Sequence, residues 1–391
     1  MSQRVTTQIV DLQAEGALLI GRVWLPSVNG PSPVIIKNNN VYDLSHIAPT
    51  TSSLLELDDL ASILKNTLEL PVIASLQAII SNSLHRHQDG NAPYLLAPCD
   101  LQAVKASGVT FVASMLERVI EERSAGDLNQ AEFFRNELNA IIGDDLSKIH
   151  PGSEESQQIK RVLQEKGVWS QYLEVGIGPD AEIFSKAQPM SSVGFGAQVG
   201  IHPISNWNNP EPEIVLAVNS AGKIVGASLG NDVNLRDVEG RSALLLGKAK
   251  DNNGSCSIGP FIRIFDGEFS LEDIKQTDIH LNIQGEDGFE LDGLSSMSKI
   301  SRSPESLVAQ TIGPNHQYPD GLMLFLGTMF APAKDRGESG KGFTHHLGDQ
   351  VSVSSKCLPS LINWVNHSDK IPRWEFGTWQ LMKNLAHRKL L

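Results

Sequence analysis

Two short runs rich in β-formers, Ile214-Val215-Leu216-Ala217-Val218 and Lys223-Ile224-Val225-Gly226-Ala227-Ser228-Leu229, flank the polar, glycine-ended tetrad Asn219-Ser220-Ala221-Gly222. This arrangement predicts an antiparallel hairpin. Folding about that turn returns Asp232, beyond the second run, to the end where Glu213 precedes the first. Glu211 and Glu213 are two residues apart, so on extended backbone both side chains leave one face of the strand. Three carboxylates brought that close repel one another unless a cation neutralises them. An all-oxygen donor set suits Mg²⁺, Mn²⁺ or Ca²⁺ better than zinc. The competing reading is an edge strand whose paired glutamates face solvent.

The residues that follow favour the metal. They are Asn231-Asp232-Val233-Asn234-Leu235-Arg236-Asp237, then Lys250, Gly259-Pro260 and, much later, Leu326-Gly327-Thr328 after an apolar run. Taken together this resembles the fumarylacetoacetate hydrolase family, whose members carry a Glu-x-Glu pair, a hairpin, Asn-Asp-x-(Ser/Thr)-x-Arg-Asp, a downstream Lys, a Gly-Pro and a later Gly-Thr. The likeness extends from about Leu96 to the C-terminus and looks closest to the family's 2-keto-3-deoxy sugar acid dehydratases. It implies Mg²⁺ or Mn²⁺ on Glu211, Glu213 and Asp232, with Lys250, Gly327, Thr328 and Arg236 at the substrate. Asn253 stands where the family usually has an Asp after the Lys.

A second departure bears on the chemistry. The family's Gly-x-Asn-Tyr-x-x-His-x-x-Glu corresponds here to the stretch from Gly108 to Glu117, with Thr110 and Phe111 for Asn and Tyr and Ser114 in the place of His. A histidine held by a glutamate one helical turn away is a sound base for activating water, and serine at neutral pH is not. Hydrolysis of a carbon–carbon bond is therefore less expected than a reaction needing only proton transfer at carbon. The resemblance then implies a Mg²⁺-dependent dehydratase converting a 2-keto-3-deoxypentonate to 2,5-dioxopentanoate, with Lys250 and Glu117 sharing the acid–base work beside Ser114. The alternative is a hydrolase of an acylpyruvate or 2,4-diketo-3-deoxy sugar acid, for which His202 or His345 would have to supply the base. Decarboxylation of an oxaloacetate-like acid ranks third, and a metal-binding partner protein without catalysis is the reading from a different class.

Length and composition set the outer bounds. A chain of 391 residues, 40% hydrophobic and without an apolar run near eighteen, has room for about two cores. A net charge of −13 argues against nucleic acid or an anionic membrane as partner, while a bound cation can reverse the potential locally. Three scattered cysteines and a start without an apolar core predict a reducing cytoplasm. The expected fold is α+β and mostly β, a fumarylacetoacetate hydrolase-like core of mixed curved sheets with outer helices. Residues 1–93 are expected to form a small α+β domain and 94–391 the catalytic domain, with a helical lid or insertion at about 110–170. Helices are expected through most of 43–68 and over Val72 to Leu84, and a homodimer or larger assembly is implied by the resemblance. Adjacent His345 and His346 on extended backbone point opposite ways, so at most one turns inward.

Overall fold

The computed structural model describes residues 1–111, 115, 119, 150–167, 169–330, 334–336 and 342–391. Its strands are β1 (Leu19–Leu25), β2 (Gly30–Lys37), β3 (Asn40–Asp43), β4 (Val72–Ser75), β5 (Tyr94–Leu95), β6 (Ala103–Gly108), β7 (Glu182–Ala187) and β8 (Gln198–Ile201). They continue with β9 (Pro212–Val218), β10 (Ile224–Asp232), β11 (Cys256–Ile264), β12 (Asp278–Gln284), β13 (Glu290–Ser296), β14 (Leu322–Phe325), β15 (Gln350–Ser354) and β16 (Leu361–His367). One large mixed sheet runs β4-β3-β2-β1-β11-β10-β9-β14-β6-β7, with β5 on β1, and a second runs β13-β12-β15-β16-β8.

The buried pattern of β9 shows how the layers stack. All seven of its residues are buried, and their side chains alternate between two cores. Ile214, Leu216 and Val218 join the core shared with β12, β15 and β16 of the second sheet. Val215 and Ala217 join the core on the other face, closed by Leu54, Leu55, Leu60 and Leu64 from the amino-terminal helices. Neighbouring β14 alternates in step, with Leu322 and Leu324 on the first side and Met323 and Phe325 on the second. The fully apolar run Gly321 to Leu326 is thus a central strand, between β9 and β6.

The strands of residues 1–93 are hydrogen-bonded into this large sheet, since β1 pairs antiparallel with β11. Helices in 43–68 are short, Thr51–Leu55 and Leu60–Asn66, broken at Asp59, whose φ is +52°. The first has a capping box from Thr50 and Ser53, and the buried Asp100 carboxylate accepts from the N–H groups of Thr51 at 2.6 Å and Ser52 at 2.9 Å. The helix expected over Val72 to Leu84 begins later than expected. Val72–Ser75 is edge strand β4, where β-branched Val72 and Ile73 sit well, and Ser75 then caps Leu76–Asn82. A further helix, Ser2–Ala14, buries Val5, Ile9 and Leu12.

Of the expected lid, residues 112–114, 116–118, 120–149 and 168 lie outside the described ones, and with them Ser114 and Glu117. Its described part holds the helix Glu154–Glu165, and a second helix, Gln171–Ile177, follows it. The second is fixed at its end by the buried guanidinium of Arg302, which donates to the carbonyls of Val175 and Gly178, both at 2.7 Å. The backbone N–H of neighbouring Ser301 donates to Thr110 O at 2.8 Å, so one short segment ties the chain where it leaves β6 and where it returns towards β7.

Candidate active site

The hairpin forms as its sequence directs. Asn219 Oδ1 accepts from the N–H groups of Ala221 at 3.2 Å and Lys223 at 2.9 Å, and Gly222 takes the left-handed conformation at φ +80°. The β9–β10 register then pairs Glu213 with Gly230, and the Asp232 N–H donates to Glu211 O at 2.9 Å. Paired residues on neighbouring strands share a face, so Glu211, Glu213 and Asp232 all project from the side of Val215 and Ala217. One carboxylate oxygen from each lies within 4.8 Å of the other two, and all three residues are buried.

Two lysines enter this cluster from different elements. Lys250, at the end of the short helix Leu246–Lys250, bonds Glu211 Oε2 and lies 3.2 Å from Asp232 Oδ2. Lys186, the fully buried lysine of β7, has its Nζ 2.9 Å from Asp232 Oδ1 and also bonds the carbonyl of Lys250. Lys186 tethers the helix that carries Lys250 to the strand that carries Asp232. Burial alone would lower the Lys250 ammonium, but Asp232 and Glu211 outweigh it and hold the group above its ordinary range.

Glu213 is placed differently. Its Oε2 accepts from the Gly327 N–H at 2.7 Å. Burial, then the neighbouring Asp232 and Glu211 charges, push its carboxyl well above the usual range, against a smaller pull from Lys250. Gly327 needs to be glycine: its φ is +85°, and a Cβ there would lie 2.1 Å from Thr110 Oγ1 and 3.0 Å from Ser107 O. Thr110, standing where the family has Asn, spends its hydroxyl on Leu326 O at 2.6 Å and so holds the same turn.

The residues fit a hard divalent cation. Besides the three-carboxylate donor set, Asp232 Oδ1 is buried and accepts no aligned hydrogen bond, although Lys186 lies within ion-pair distance. Lys186 compensates its charge, and a divalent cation would supply the direct partner that this oxygen lacks.

The cavity beside the cluster is lined by those carboxylates, Lys250, Gly327 and Thr328, together with Ser107, Gly108, Val109, Glu182, Phe184 and Glu239. Val109 takes φ +53°, an uncommon state for a β-branched residue that places strained backbone on the cavity wall. Arg236 is not part of the lining; its guanidinium stacks 4.2 Å from the centroid of the Trp207 ring. His345 turns inward and His346 outward, on irregular backbone ahead of β15 rather than on a strand. The His345 Nδ1 is 3.0 Å from Asp349 Oδ2, while half-exposed His346 has its Nδ1 3.0 Å from Asp287 Oδ2. Neither lines the cavity, nor does His202, whose Nε2 lies 2.9 Å from Lys248 Nζ.

Sequence reasoning gave no role to three residues of this region, Glu182, Glu239 and Asn234, and placed Lys186 only in Phe184-Ser185-Lys186, which resembles the family's Phe-x-Lys strand that re-enters the core. Buried Asn234 donates to Glu211 Oε1 at 3.1 Å and to Glu239 Oε2 at 2.7 Å, joining a metal-type carboxylate to a wall carboxylate. Its place as the fourth residue of the Asn-Asp-x-(Ser/Thr)-x-Arg-Asp segment was the available signal, since the family carries a hydroxyl there.

Comparison with solved structures settles the architecture. The apo form of 2-keto-3-deoxy-D-arabinonate dehydratase superposes with a TM-score of 0.62 at 22% identity, covering 91% of this chain and 100% of that one. The same enzyme complexed with magnesium and 2,5-dioxopentanoate gives 0.61 at 22% identity, over 89% of this chain and 99% of the other. A fumarylacetoacetate hydrolase from psychrophilic Exiguobacterium antarcticum gives 0.54 at 15% identity, over 90% of this chain and 99% of that one. The chain has the fumarylacetoacetate hydrolase fold. Within it, sequence likeness is to the sugar acid dehydratases, as expected. The 2-dehydro-3-deoxy-D-arabinonate dehydratase of Saccharolobus solfataricus is 35% identical over 190 residues, 49% of this chain and 60% of that protein. A Haloferax volcanii protein named "Probable 2-keto-3-deoxyxylonate dehydratase" is 29% identical over 202 residues, 52% of this chain and 66% of that one. The matched stretches thus span less than two thirds of either relative. No family model matches the chain. Among the described residues, no helix is long and apolar enough to cross a membrane.

Proposed function

We propose that this protein is a Mg²⁺-dependent (or Mn²⁺-dependent) hydro-lyase that dehydrates a 2-keto-3-deoxy sugar acid, a 2-keto-3-deoxypentonate giving 2,5-dioxopentanoate. The observation that carries the reading is the convergence of buried Glu211, Glu213 and Asp232 on the wall of a cavity that also presents Lys250 and Thr328. Those three carboxylates would hold the cation. When bound it supplies positive charge at the head of a 2-oxo acid, where negative charge builds up as the C3 proton leaves.

The chain's own residues do the rest. Lys250, kept protonated by Asp232 and Glu211, is suited to holding or giving a proton rather than taking one. Removal of the C3 proton then falls to a carboxylate, the role expected for Glu117. Gly327 contributes through Glu213, on which its N–H is spent, and Thr328 follows it at the cavity wall. Every lining residue comes from beyond residue 93, in keeping with 94–391 as the catalytic domain and 1–93 as a supporting one. Among the described lining residues there is no histidine, which ranks water-driven cleavage of an acylpyruvate or 2,4-diketo sugar acid second. Cytoplasmic operation as a homodimer or larger assembly completes the proposal, supported by three cysteines that form no disulfide and by the exposed Trp374 and Trp379.

The test gives the Mg²⁺-loaded protein a 2-keto-3-deoxypentonate, follows 2,5-dioxopentanoate with an aldehyde dehydrogenase, and runs an acylpyruvate in parallel. Aldehyde that forms with the wild type and vanishes with Glu213→Ala supports the dehydratase. Acylpyruvate cleavage without aldehyde replaces it with the hydrolase.

A further inference from the structure

Among the described residues lining the cavity, Phe184 and Val109 alone carry apolar side chains. Phe184 lies opposite Ala106 on β6, so its ring stands on the sheet face of Val215 and Ala217, from which the three carboxylates project. The ring centroid is 5.7 Å from Lys250 Nζ, within range of a cation–π contact. The same ammonium donates to Glu211 Oε2 and, at 3.2 Å, to Asp232 Oδ2. The carboxylate cluster therefore has two unlike corners. At Glu213 stand the Gly327 N–H and Thr328, a polar turn, whereas at Glu211 and Asp232 stand Lys250 and an aromatic ring. A 2-oxo acid held through its carboxylate and keto oxygens needs polar partners at C1 and C2, and C3 is the first carbon beyond them. In a 2-keto-3-deoxypentonate that carbon is a methylene, the one carbon without oxygen, and a hydrocarbon ring complements it.

We propose that Phe184 packs on C3 of the substrate, and so makes this site select 2-oxo acids with a methylene at C3 over those that carry a hydroxyl there. The inference rests on the 2-oxo acid reading above. A 3-hydroxyl set against the ring leaves water without gaining a protein partner, and an unmade hydrogen bond in the interior is costly. Lys250 is a poor substitute partner, since its ammonium already donates to two carboxylates and lies against the ring. Phe184 is thus a specificity-determining residue, acting by contact with the carbon that loses its proton rather than by taking that proton.

The test measures calorimetric affinities of the Mg²⁺-loaded protein for 2-oxobutanoate and 3-hydroxy-2-oxobutanoate, which differ only at C3 and, lacking a C4 hydroxyl, cannot be dehydrated. The wild type is expected to bind the first about 10- to 100-fold more tightly. Phe184→Leu should keep that preference, and Phe184→Gln, which offers a hydrogen-bond partner in the same place, should largely remove it. Equal affinity of the wild type for the two ligands would overturn the proposal whatever the variants do. So would a preference that Phe184→Gln leaves intact, or one that Phe184→Leu loses. If the wild type shows the preference but releases no 2,5-dioxopentanoate from 2-keto-3-deoxypentonate, the dehydratase reading fails while the affinity ratios still decide the role of Phe184. If it binds neither ligand, the 2-oxo acid reading falls and this inference with it.

Discussion

Replacing Glu213 by glutamine should stabilise the metal-free protein while abolishing its response to Mg²⁺. The three carboxylate oxygens lie within 4.8 Å of one another. At an effective dielectric of about 20, two unit charges at such a separation repel by roughly 3 kcal/mol. Glu213 meets that repulsion from both Asp232 and Glu211, and Lys250 and the Gly327 N–H offset only part of it. The cost has a ceiling, because the carboxyl can escape by taking up a proton. Protonating a glutamate of ordinary pKa, about 4.3, at neutral pH costs about 1.4 kcal/mol per unit, or roughly 3 to 4 kcal/mol in all. Glu213→Gln should therefore gain up to about 3 kcal/mol at neutral pH in the presence of a chelator.

The sign follows from the raised carboxyl. Above the unfolded-state value the folded protein binds more protons than the unfolded one, so wild-type stability falls as pH rises through that window. The advantage of the variant should accordingly shrink as pH drops to about 4.3 and vanish below it. Urea denaturation of both proteins across this range, with chelator and then with Mg²⁺, measures the difference and cancels the titration of all other groups. Mg²⁺ should raise the wild-type midpoint in proportion to the logarithm of its concentration and leave the variant unmoved. Equal stability of the two proteins at neutral pH without metal would refute the reasoning, because the lysines would then already balance all three carboxylates.

Three further outcomes are expected. Lys186→Met should cost about 3 to 5 kcal/mol by urea denaturation, since it leaves Asp232 Oδ1 buried without its cation, and should weaken calorimetric Mg²⁺ binding by displacing Asp232. Gly327→Ala should abolish Mg²⁺ binding and destabilise the fold, because the new Cβ meets Thr110 and the Ser107 backbone, whereas Gly108→Ala, which meets only the movable Glu182 carboxylate, should be tolerated in the same assays. Of the three thiols, only partly exposed Cys357 should react with iodoacetamide in the native protein, while Cys256, pushed up to about 12 by burial, and Cys99, raised by burial as well, should react only on unfolding, as counted by mass spectrometry.

What could be read from the sequence follows the range of the interactions involved. β12 alternates with period two, the hairpin strands and β14 are continuous apolar runs bounded by turn residues, and Ser303-Pro304 announces the helix Pro304–Thr311. The three carboxylates were legible because a two-residue spacing and one turn suffice to bring them together. Phe184-Ser185-Lys186 resembles the family's Phe-x-Lys strand that re-enters the core, but the meeting of Lys186 with Asp232 was not legible, because it joins segments 46 residues apart on non-adjacent strands of the sheet. Ser2–Ala14 carried its signal in Val5, Ile9 and Leu12, diluted by the polar residues between them. β4 is an edge strand followed immediately by a helix, where four residues are too few for either period to assert itself.

The distribution of partners around the cluster explains why one carboxylate stands apart. Asp232 is met by a lysine at each oxygen, and Glu211 by Lys250 and Asn234, so both are largely compensated before any cation arrives. Glu213 receives an amide N–H rather than an ammonium group, and it is the ligand whose carboxyl is pushed up. The site is thus prepared at two corners and strained at the third. A divalent ion relieves most at Glu213, so affinity for metal and cost to the metal-free fold come from the same side chain, and Gly327, which fixes that side chain, couples the turn ahead of Thr328 to the state of the cluster.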